Sequence, residues 1–158
     1  MTASPRVVGM AVNPDFQGRV YPPSGPYAVS AADIAAFARA VGSADPVHTD
    51  PQAARAAGYP DVIAPPTMAV RYAQQCDRAY VADPEAGIDY SRVVHGEQSF
   101  VHHRPITAGD ELTGTVTVRS IKTAGGHAMI TLVTGLADAA GAQVATCTST
   151  IVVRGGGQ

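Results

Sequence analysis

The sequence predicts an α+β domain in which helices cover one face of an antiparallel sheet. The first half of the chain carries helix start and stop signals and ends in a longer amphipathic segment. From about residue 92 onward, polar and apolar residues alternate with a period of two, as in strands that are buried on one face. Turn residues interrupt this alternation at intervals too short for helices. Helices followed by a run of strands are typical of the α+β class.

Two short helices are predicted in the first third of the chain, after a short strand at residues 27–29. Ser30 is a suitable N-cap for the alanine-rich run at residues 31–40, because its hydroxyl can accept a hydrogen bond from an unpaired backbone N–H. The Asp-Pro pair at residues 50–51 repeats a helix start, and Gly58 suits a left-handed C-cap.

The longest helix is predicted at about residues 67–79, directly after the Pro-Pro pair at residues 65–66. Proline disfavours helix in the residue before it and fits the first helical turn, so the pair marks a helix start. Met68, Tyr72 and Cys76 recur at four-residue spacing and form one apolar face. We therefore expect this helix to pack against the sheet.

Four long strands are predicted in the second half of the chain. The first covers about residues 92–104, and the glycine-containing turns that separate the others lie at residues 109–110, 125–126 and 141. In the second strand Leu112, Val116 and Val118 take one face and threonines take the other. The third strand has Ile130, Leu132 and Leu136 on one face.

One domain is predicted at residues 26–154, which is long enough to bury a core of its own. Residues 1–25 are rich in proline and glycine and are expected to form an irregular arm. Residues 155–158 are expected to be a disordered tail, because three of the four are glycine.

The composition excludes several classes of partner. A formal net charge of −2 gives no electrostatic reason to expect nucleic acid or an anionic membrane. No segment approaches the roughly 20 apolar residues of a membrane span, and the N-terminus has no signal-peptide pattern. Cys76 and Cys147 lack C-x-x-C spacing, which favours reduced thiols and no metal site. We therefore expect a cytoplasmic protein.

Two motifs flank the long predicted helix. Before it stand GSADPVHTDP at residues 42–51, a Gly-Tyr pair at residues 58–59 and the VIA run at residues 62–64. After it stands VHGEQSF at residues 94–100, followed by the tripeptides RPI and AGD. Together these motifs resemble the hydratase motif of the MaoC-like group of hotdog proteins, and the resemblance covers nearly the whole chain after about residue 18.

A finer resemblance comes from APPT at residues 64–67 and DYSRVVHG at residues 89–96. These runs are similar to an actinobacterial subgroup that resembles the acyl-binding, non-catalytic subunit of mycobacterial (3R)-hydroxyacyl-ACP dehydratase. The resemblance implies a hotdog fold, in which an antiparallel sheet wraps around a long central helix. It also implies a homodimer, or a heterodimer with a catalytic hotdog subunit, and a fatty-acyl thioester of CoA or acyl carrier protein as substrate, with no cofactor.

The implied reaction interconverts (3R)-3-hydroxyacyl and trans-2-enoyl thioesters in fatty-acid metabolism. In the family a His and an Asp five positions before it do the acid/base work, which makes His48 the candidate catalytic residue here. The position five before His48 is Ser43, and Asp45 stands where Asn is usual. Asp45 either takes over the carboxylate role, or this chain lacks half of the catalytic machinery.

The start of the central helix departs from the family as well. In the family, backbone N–H groups at this helix start receive the thioester oxygen, but Pro66 has no N–H, so Thr67 or Met68 would have to donate. The residues predicted to bind substrate are Pro66, Thr67, Met68, Tyr72, His95 and Gly96. The three histidines of the first long strand (His95, His102 and His103) alternate in direction and are not expected to face one site together.

Three functions follow from these residues. The first is a hydratase/dehydratase (a lyase), active alone or only beside a catalytic partner subunit. The second is a catalytically silent module that binds an acyl thioester or pairs with another subunit, as Ser43 and Pro66 suggest. The third is a hotdog thioesterase, which is disfavoured because residues 67–75 of the central helix contain no carboxylate.

Overall fold

The computed structural model describes residues 11–156, in which five antiparallel strands form one sheet in the order β1-β3-β4-β5-β2. The strands are β1 (Ser24–Ala28), β2 (Val93–His102), β3 (Glu111–Ala124), β4 (His127–Ala137) and β5 (Gln143–Val153). Strands β3 to β5 form consecutive hairpins, and β2 pairs with β5 at the far edge. The predicted antiparallel sheet is confirmed.

Three α-helices lie on this sheet or at its end: α1 (Ala31–Ala40), α2 (Pro51–Ala56) and α3 (Ala69–Val81). The Ser30 side chain accepts a hydrogen bond from the backbone N–H of Asp33 at 3.0 Å, which caps α1 as predicted. Helix α3 starts two residues later than predicted, because residues Pro66–Met68 form a 3-10 turn instead.

Helix α3 is the central helix, and it packs mainly against β3 and β4. Its predicted apolar face is confirmed, because Met68 in the preceding turn, Tyr72 and Cys76 are all buried. The helix approaches β3 closely at Gly114, where an added Cβ would collide with the Sγ atom of Cys76. Glycine at this position therefore sets how near the helix can lie to the sheet.

The core has two parts along α3. One surrounds Met68, Tyr72 and Cys76 at the start of the helix, and the other surrounds Tyr80 at its end. Phe16 from the N-terminal segment belongs to the second part and is 2% exposed. This part of the predicted arm therefore packs on the sheet, and Val20 forms an antiparallel bridge with Thr117 of β3.

The predicted arm and tail extend beyond the described residues, since residues 1–10 and 157–158 lie outside them. Within the described part of the tail, the backbone N–H of Gly155 donates to Nδ1 of His127 at 3.1 Å. None of the helices between residues 11 and 156 is long and apolar enough to span a membrane.

The sheet has two edges, β1 and β2. Strand β1 has five residues, whereas β2 has ten, and Val101 near the end of β2 is 59% exposed. A long edge strand offers a row of unpaired backbone donors and acceptors to another strand. Strand β2 is therefore the larger unpartnered edge of the fold.

Candidate functional site

His48 lies at the end of a short 3-10 helix, Pro46–His48, between α1 and α2. The side chain of Asp45 caps this turn, because its Oδ1 accepts a hydrogen bond from the backbone N–H of Val47 at 3.0 Å. His48 is 6% exposed, and its Nδ1 lies 2.6 Å from the carbonyl oxygen of Ile63. Because a carbonyl only accepts, Nδ1 carries the hydrogen, and Nε2 of the neutral ring is left as a proton acceptor.

A cavity of about 710 Å³ opens beside His48. Predicted site residues on its wall are Asp45, His48 and Pro66, and the chain after β2 contributes His103 and Arg104. The remaining lining residues are Val47, Ala57, Tyr59, Ile63, Ala64, Pro65, His102, Pro105 and Ile106. We call this space the His48 cavity; it joins an imidazole to the start of the central helix.

Arg104 at the wall of the His48 cavity is held by two carboxylates. Its guanidinium donates to both oxygens of Asp110, at 2.8 and 2.9 Å, and to Asp138 at 3.2 Å. The Asp110 side chain raises the pKa of Arg104 above its ordinary value. Arg104 is therefore a structural link between the end of β2 and two turns.

A second cavity, of about 650 Å³, lies between α3 and the strands β2, β4 and β5. Its polar wall includes Gln74, Asp77, His95 and Ser149. The other lining residues are Phe37, Val70, Arg71, Gln75, Arg78, Val81, Tyr90, Val93, Leu132 and Ile151. We call this space the Asp77 cavity; it is also of the size of small-molecule sites.

Asp77 is the functional candidate that the sequence analysis missed. It is 9% exposed, and its Oδ1 accepts a hydrogen bond from the Thr134 hydroxyl at 2.7 Å. Burial raises the pKa of the Asp77 carboxyl to about 6, and the Thr134 hydrogen bond opposes part of that rise. Asp77 lies inside the helix predicted at residues 67–79, but the expected lack of a carboxylate concerned only residues 67–75.

Comparisons with known proteins assign the chain to a family. A family model described as "FAS1-like, dehydratase domain region" matches residues 15–147. The chain belongs to this family. A relative of this FAS1-like dehydratase domain, the UPF0336 protein of Clavibacter michiganensis subsp. michiganensis, is 53% identical over 146 residues, which are 92% of this chain and 98% of the relative.

Two solved structures are similar to the FAS1-like dehydratase domain described here. A MaoC-like dehydratase superposes with a TM-score of 0.80 at 34% identity; the match covers 89% of this chain and 42% of that one, so this chain spans less than half of it. The truncated HadBC (3R-hydroxyacyl-ACP dehydratase) complex of Mycobacterium tuberculosis gives 0.77 at 25% identity, over 87% and 97%. The predicted hotdog fold and MaoC-like family are thus confirmed.

The predicted catalytic residues of this dehydratase-family chain are only partly brought together. Asp45 and His48 share the His48 cavity, but Ser43 is not among its lining residues. Ser43 follows α1, and its backbone N–H donates to the carbonyl of Ala38 at 2.8 Å. No cluster of metal-ligating side chains is found among residues 11–156.

The predicted substrate-binding residues are divided between the two cavities and the core. Pro66 lines the His48 cavity, whereas His95 lines the Asp77 cavity, with Gly96 beside it at a register shift of β2. Met68 and Tyr72 are buried in the core at 0% and 2% exposure. Thr67 is exposed at the start of the helix and lines neither cavity.

The strand histidines divide in the same way. His102 and His103 both line the His48 cavity, because β2 ends at His102 and the alternation of side chains ends with it. The Nε2 of His102 lies 2.9 Å from the carbonyl oxygen of Pro66, which ties the end of β2 to the start of the central helix. Sequence alternation alone could not show this convergence.

Proposed function

We propose that this chain is an acyl-binding subunit of a (3R)-3-hydroxyacyl thioester dehydratase, an enzyme that also hydrates trans-2-enoyl thioesters. One observation carries the proposal: His48 is oriented toward a cavity, but the residue five before it is Ser43, which does not line that cavity. The chain therefore offers one half of the acid/base pair that the reaction needs. A partner hotdog subunit with an intact Asp and His supplies the catalytic pair.

The reaction defines what is missing. Dehydration removes a proton from C2 and the hydroxyl from C3, forms the C2=C3 double bond and releases water, so it needs a base and an acid. Nε2 of His48 can serve as one of these two groups, because Nδ1 is bound to the carbonyl of Ile63. The Ser43 hydroxyl is too weak a base to take up a proton, and Asp45 caps the turn before His48 through its Oδ1.

Stabilisation of the thioester oxygen is also reduced. Pro66 has no backbone N–H, and the N–H of Met68 donates to the carbonyl of Pro65 at 2.9 Å. The backbone N–H of Thr67 is then the donor left for the thioester oxygen. Because the loss of one such donor typically lowers a rate by about 10²- to 10³-fold, we expect the chain alone to be slow.

Pairing through β2 would bring the Asp77 cavity of one subunit next to the His48 cavity of the other. His95 borders the Asp77 cavity near one end of β2, and His102 borders the His48 cavity at the other end. At about 3.3 Å per residue these ends lie about 20 Å apart. If two β2 strands pair antiparallel about their midpoints, the Asp77 cavity of this chain lies next to the partner's catalytic cavity, the one that corresponds to the His48 cavity here.

The Asp77 cavity suits an acyl chain in such a pair. Part of its wall is apolar, with Leu132 and Ile151 from the sheet and Val70 from the helix. A hydrocarbon chain gains by leaving water for such a surface. The similarity to the HadBC complex, which its name describes as a 3R-hydroxyacyl-ACP dehydratase, supports both the reaction and the pairing of two subunits.

The test is reconstitution with a candidate partner that carries the family's Asp and His. Hydration of crotonyl-CoA and longer trans-2-enoyl-CoA thioesters is followed for this chain, the partner and their mixture. We expect the mixture to exceed both separate rates by at least about tenfold for the longer thioesters. No hydration in any of the three samples would contradict the proposal.

A variant of His48 separates this proposal from a second one. In the mixture, His48→Gln is expected to retain more than half of the rate, with His103→Gln as a control on the same cavity wall. A homodimeric hydratase that uses His48 and Asp45 is the second candidate, because both residues line one cavity. Robust turnover by this chain alone that His48→Gln abolishes would favour the homodimer.

A further inference from the structure

The carboxyl of Asp77 lies buried beside a cavity that we propose holds an acyl chain, and removing such a group from water costs free energy. Asp77 lies on the sheet-facing side of α3 and is 9% exposed. None of the ion pairs found among residues 11–156 includes it, although Arg71 and Arg78 line the same cavity. Arg71 is paired instead with Asp33 at 3.2 Å. No ion pair between residues 11 and 156 therefore neutralises this carboxyl, although the charge of His95 lowers its pKa in part.

One oxygen of Asp77 is available to a ligand. Oδ1 accepts the hydroxyl hydrogen of Thr134, and no hydrogen bond to Oδ2 is found within residues 11–156. Among residues 11–156, two fully buried side-chain oxygens lack a hydrogen-bond partner, namely the hydroxyls of Tyr72 and Tyr80. Oδ2 of Asp77 is not one of them, so it retains some exposure. Since Asp77 lines the Asp77 cavity, we take Oδ2 to be the oxygen that faces the cavity.

From this arrangement we infer that Asp77 determines specificity: it selects acyl chains that carry a hydrogen-bond donor, such as a hydroxyl, beyond the reacting carbons. The inference rests on the proposed acyl-binding function and names its substrate class. A plain hydrocarbon would cover Oδ2 without replacing its contact with water. A hydroxyl on the chain would donate to Oδ2 and restore that hydrogen bond.

The other polar groups of the cavity fit the same ligand. Ser149 on β5 is 5% exposed and lines the cavity, so a second hydroxyl lies on the sheet side. The Gln74 side chain contacts Nδ1 of His95 at 3.5 Å, toward the β2 edge. The apolar residues between these groups can hold methylenes, so the cavity combines hydrocarbon surface with fixed hydrogen-bonding positions.

The test compares ligands of equal carbon number with the full-length chain at pH 8, where the Asp77 carboxyl is ionised. Binding of decanoyl-CoA and of decanoyl-CoAs that carry one hydroxyl beyond C3 is measured by equilibrium dialysis. We expect at least one hydroxylated thioester to bind about 10- to 100-fold more tightly than decanoyl-CoA, the usual range for one hydrogen bond to a charged group. Equal or weaker binding of every hydroxylated thioester would overturn the inference.

Variants distinguish recognition from a purely structural role. Asp77→Leu is expected to abolish the preference for a hydroxyl and to strengthen binding of decanoyl-CoA. If Asp77 has only a structural role, the variant would weaken binding of all the thioesters equally, and this result would overturn the inference. Glu85→Leu removes the same charge from an exposed turn after α3 that lines neither cavity, and it should preserve the preference. If Asp77→Leu does not fold, Asp77→Asn serves, because its amide can donate and should raise binding of the matching keto thioester relative to the hydroxy one.

The proposed function and this inference fail in different ways. If wild-type protein binds neither decanoyl-CoA nor any hydroxylated thioester, acyl binding itself is absent and both fall. If it binds decanoyl-CoA well and gains nothing from a hydroxyl, acyl binding stands and the role of Asp77 is wrong.

Discussion

At the scale of single residues, the Asp77 carboxyl makes stability depend on pH. Burial raises its pKa from 3.8 to about 6, so the folded protein holds this proton more tightly than the unfolded chain does. The stabilising contribution of the neutral form is fully present below about pH 3.8 and is lost as pH rises through about 6. At 1.36 kcal/mol per pKa unit it amounts to about 3 kcal/mol.

We expect Asp77→Asn to remove this slope, because an amide does not titrate and can still accept from Thr134. The measurement is urea unfolding of both proteins between pH 4 and pH 8, with the difference in unfolding free energy plotted against pH. The wild-type protein should lose stability relative to Asp77→Asn as pH rises. A difference in unfolding free energy that stays constant with pH would show that burial does not raise the pKa of this carboxyl.

Residue types alone showed only part of the site. His48 and the two departures, Ser43 and Pro66, could be recognised because each occupies a position in a local motif. Asp77 belongs to no such motif, and its hydrogen-bond partner Thr134 lies 57 positions away on β4. Its spacing of four residues from the buried Ala73 was the available signal that it faces the sheet.

At the scale of elements, the packing of α3 on β3 depends on Gly114. An added Cβ would collide with Sγ of Cys76 and approach Cδ2 of Leu136 to 3.1 Å. We expect Gly114→Ala to destabilise the fold by about 1–3 kcal/mol, the usual cost of overpacking a core. Thermal or urea unfolding measures it, and Gly135→Ala is the control, because the nearest atom to its added Cβ lies at 3.5 Å.

A second substitution identifies the cause. Cys76→Ala removes the Sγ atom that the new methyl group meets, so the double variant should be less destabilised than the sum of the two single ones. Strictly additive losses would show that Gly114 is needed for another reason, such as the strand backbone itself.

Elements were more predictable than their contacts. The cap at Ser30 and the turn at residues 125–126 depend on neighbouring residues, so α1 and the β3–β4 hairpin follow from local sequence. The start of α3 was placed two residues early, because proline marks a helix start without deciding between 3-10 and α geometry. The convergence of His102 with His48 depends on where β2 stops, which tertiary contacts decide.

At the scale of the whole molecule, assembly through β2 predicts a specific protection pattern. One side of the β2 backbone bonds to β5, and the other side is unpaired in the single chain. When the chain pairs through this edge, every second backbone N–H of β2 should become protected from hydrogen exchange, while β1 stays unchanged as the other edge. Hydrogen–deuterium exchange of the chain with and without its partner measures this; protection at β1 instead would place the interface on the opposite side.

The opposite ends of β2 border different cavities, which limits the number of productive centres in a pair of subunits. Two β2 strands that pair antiparallel are related by a two-fold axis. Each pair of subunits therefore contains two junctions, in each of which the Asp77 cavity of one chain meets the His48 cavity of the other. In a pair of identical chains the junctions are equivalent, but in a mixed pair only one contains the partner's intact acid and base. A mixed assembly should therefore process one thioester at a time, and active-site titration should count one productive centre for every two chains.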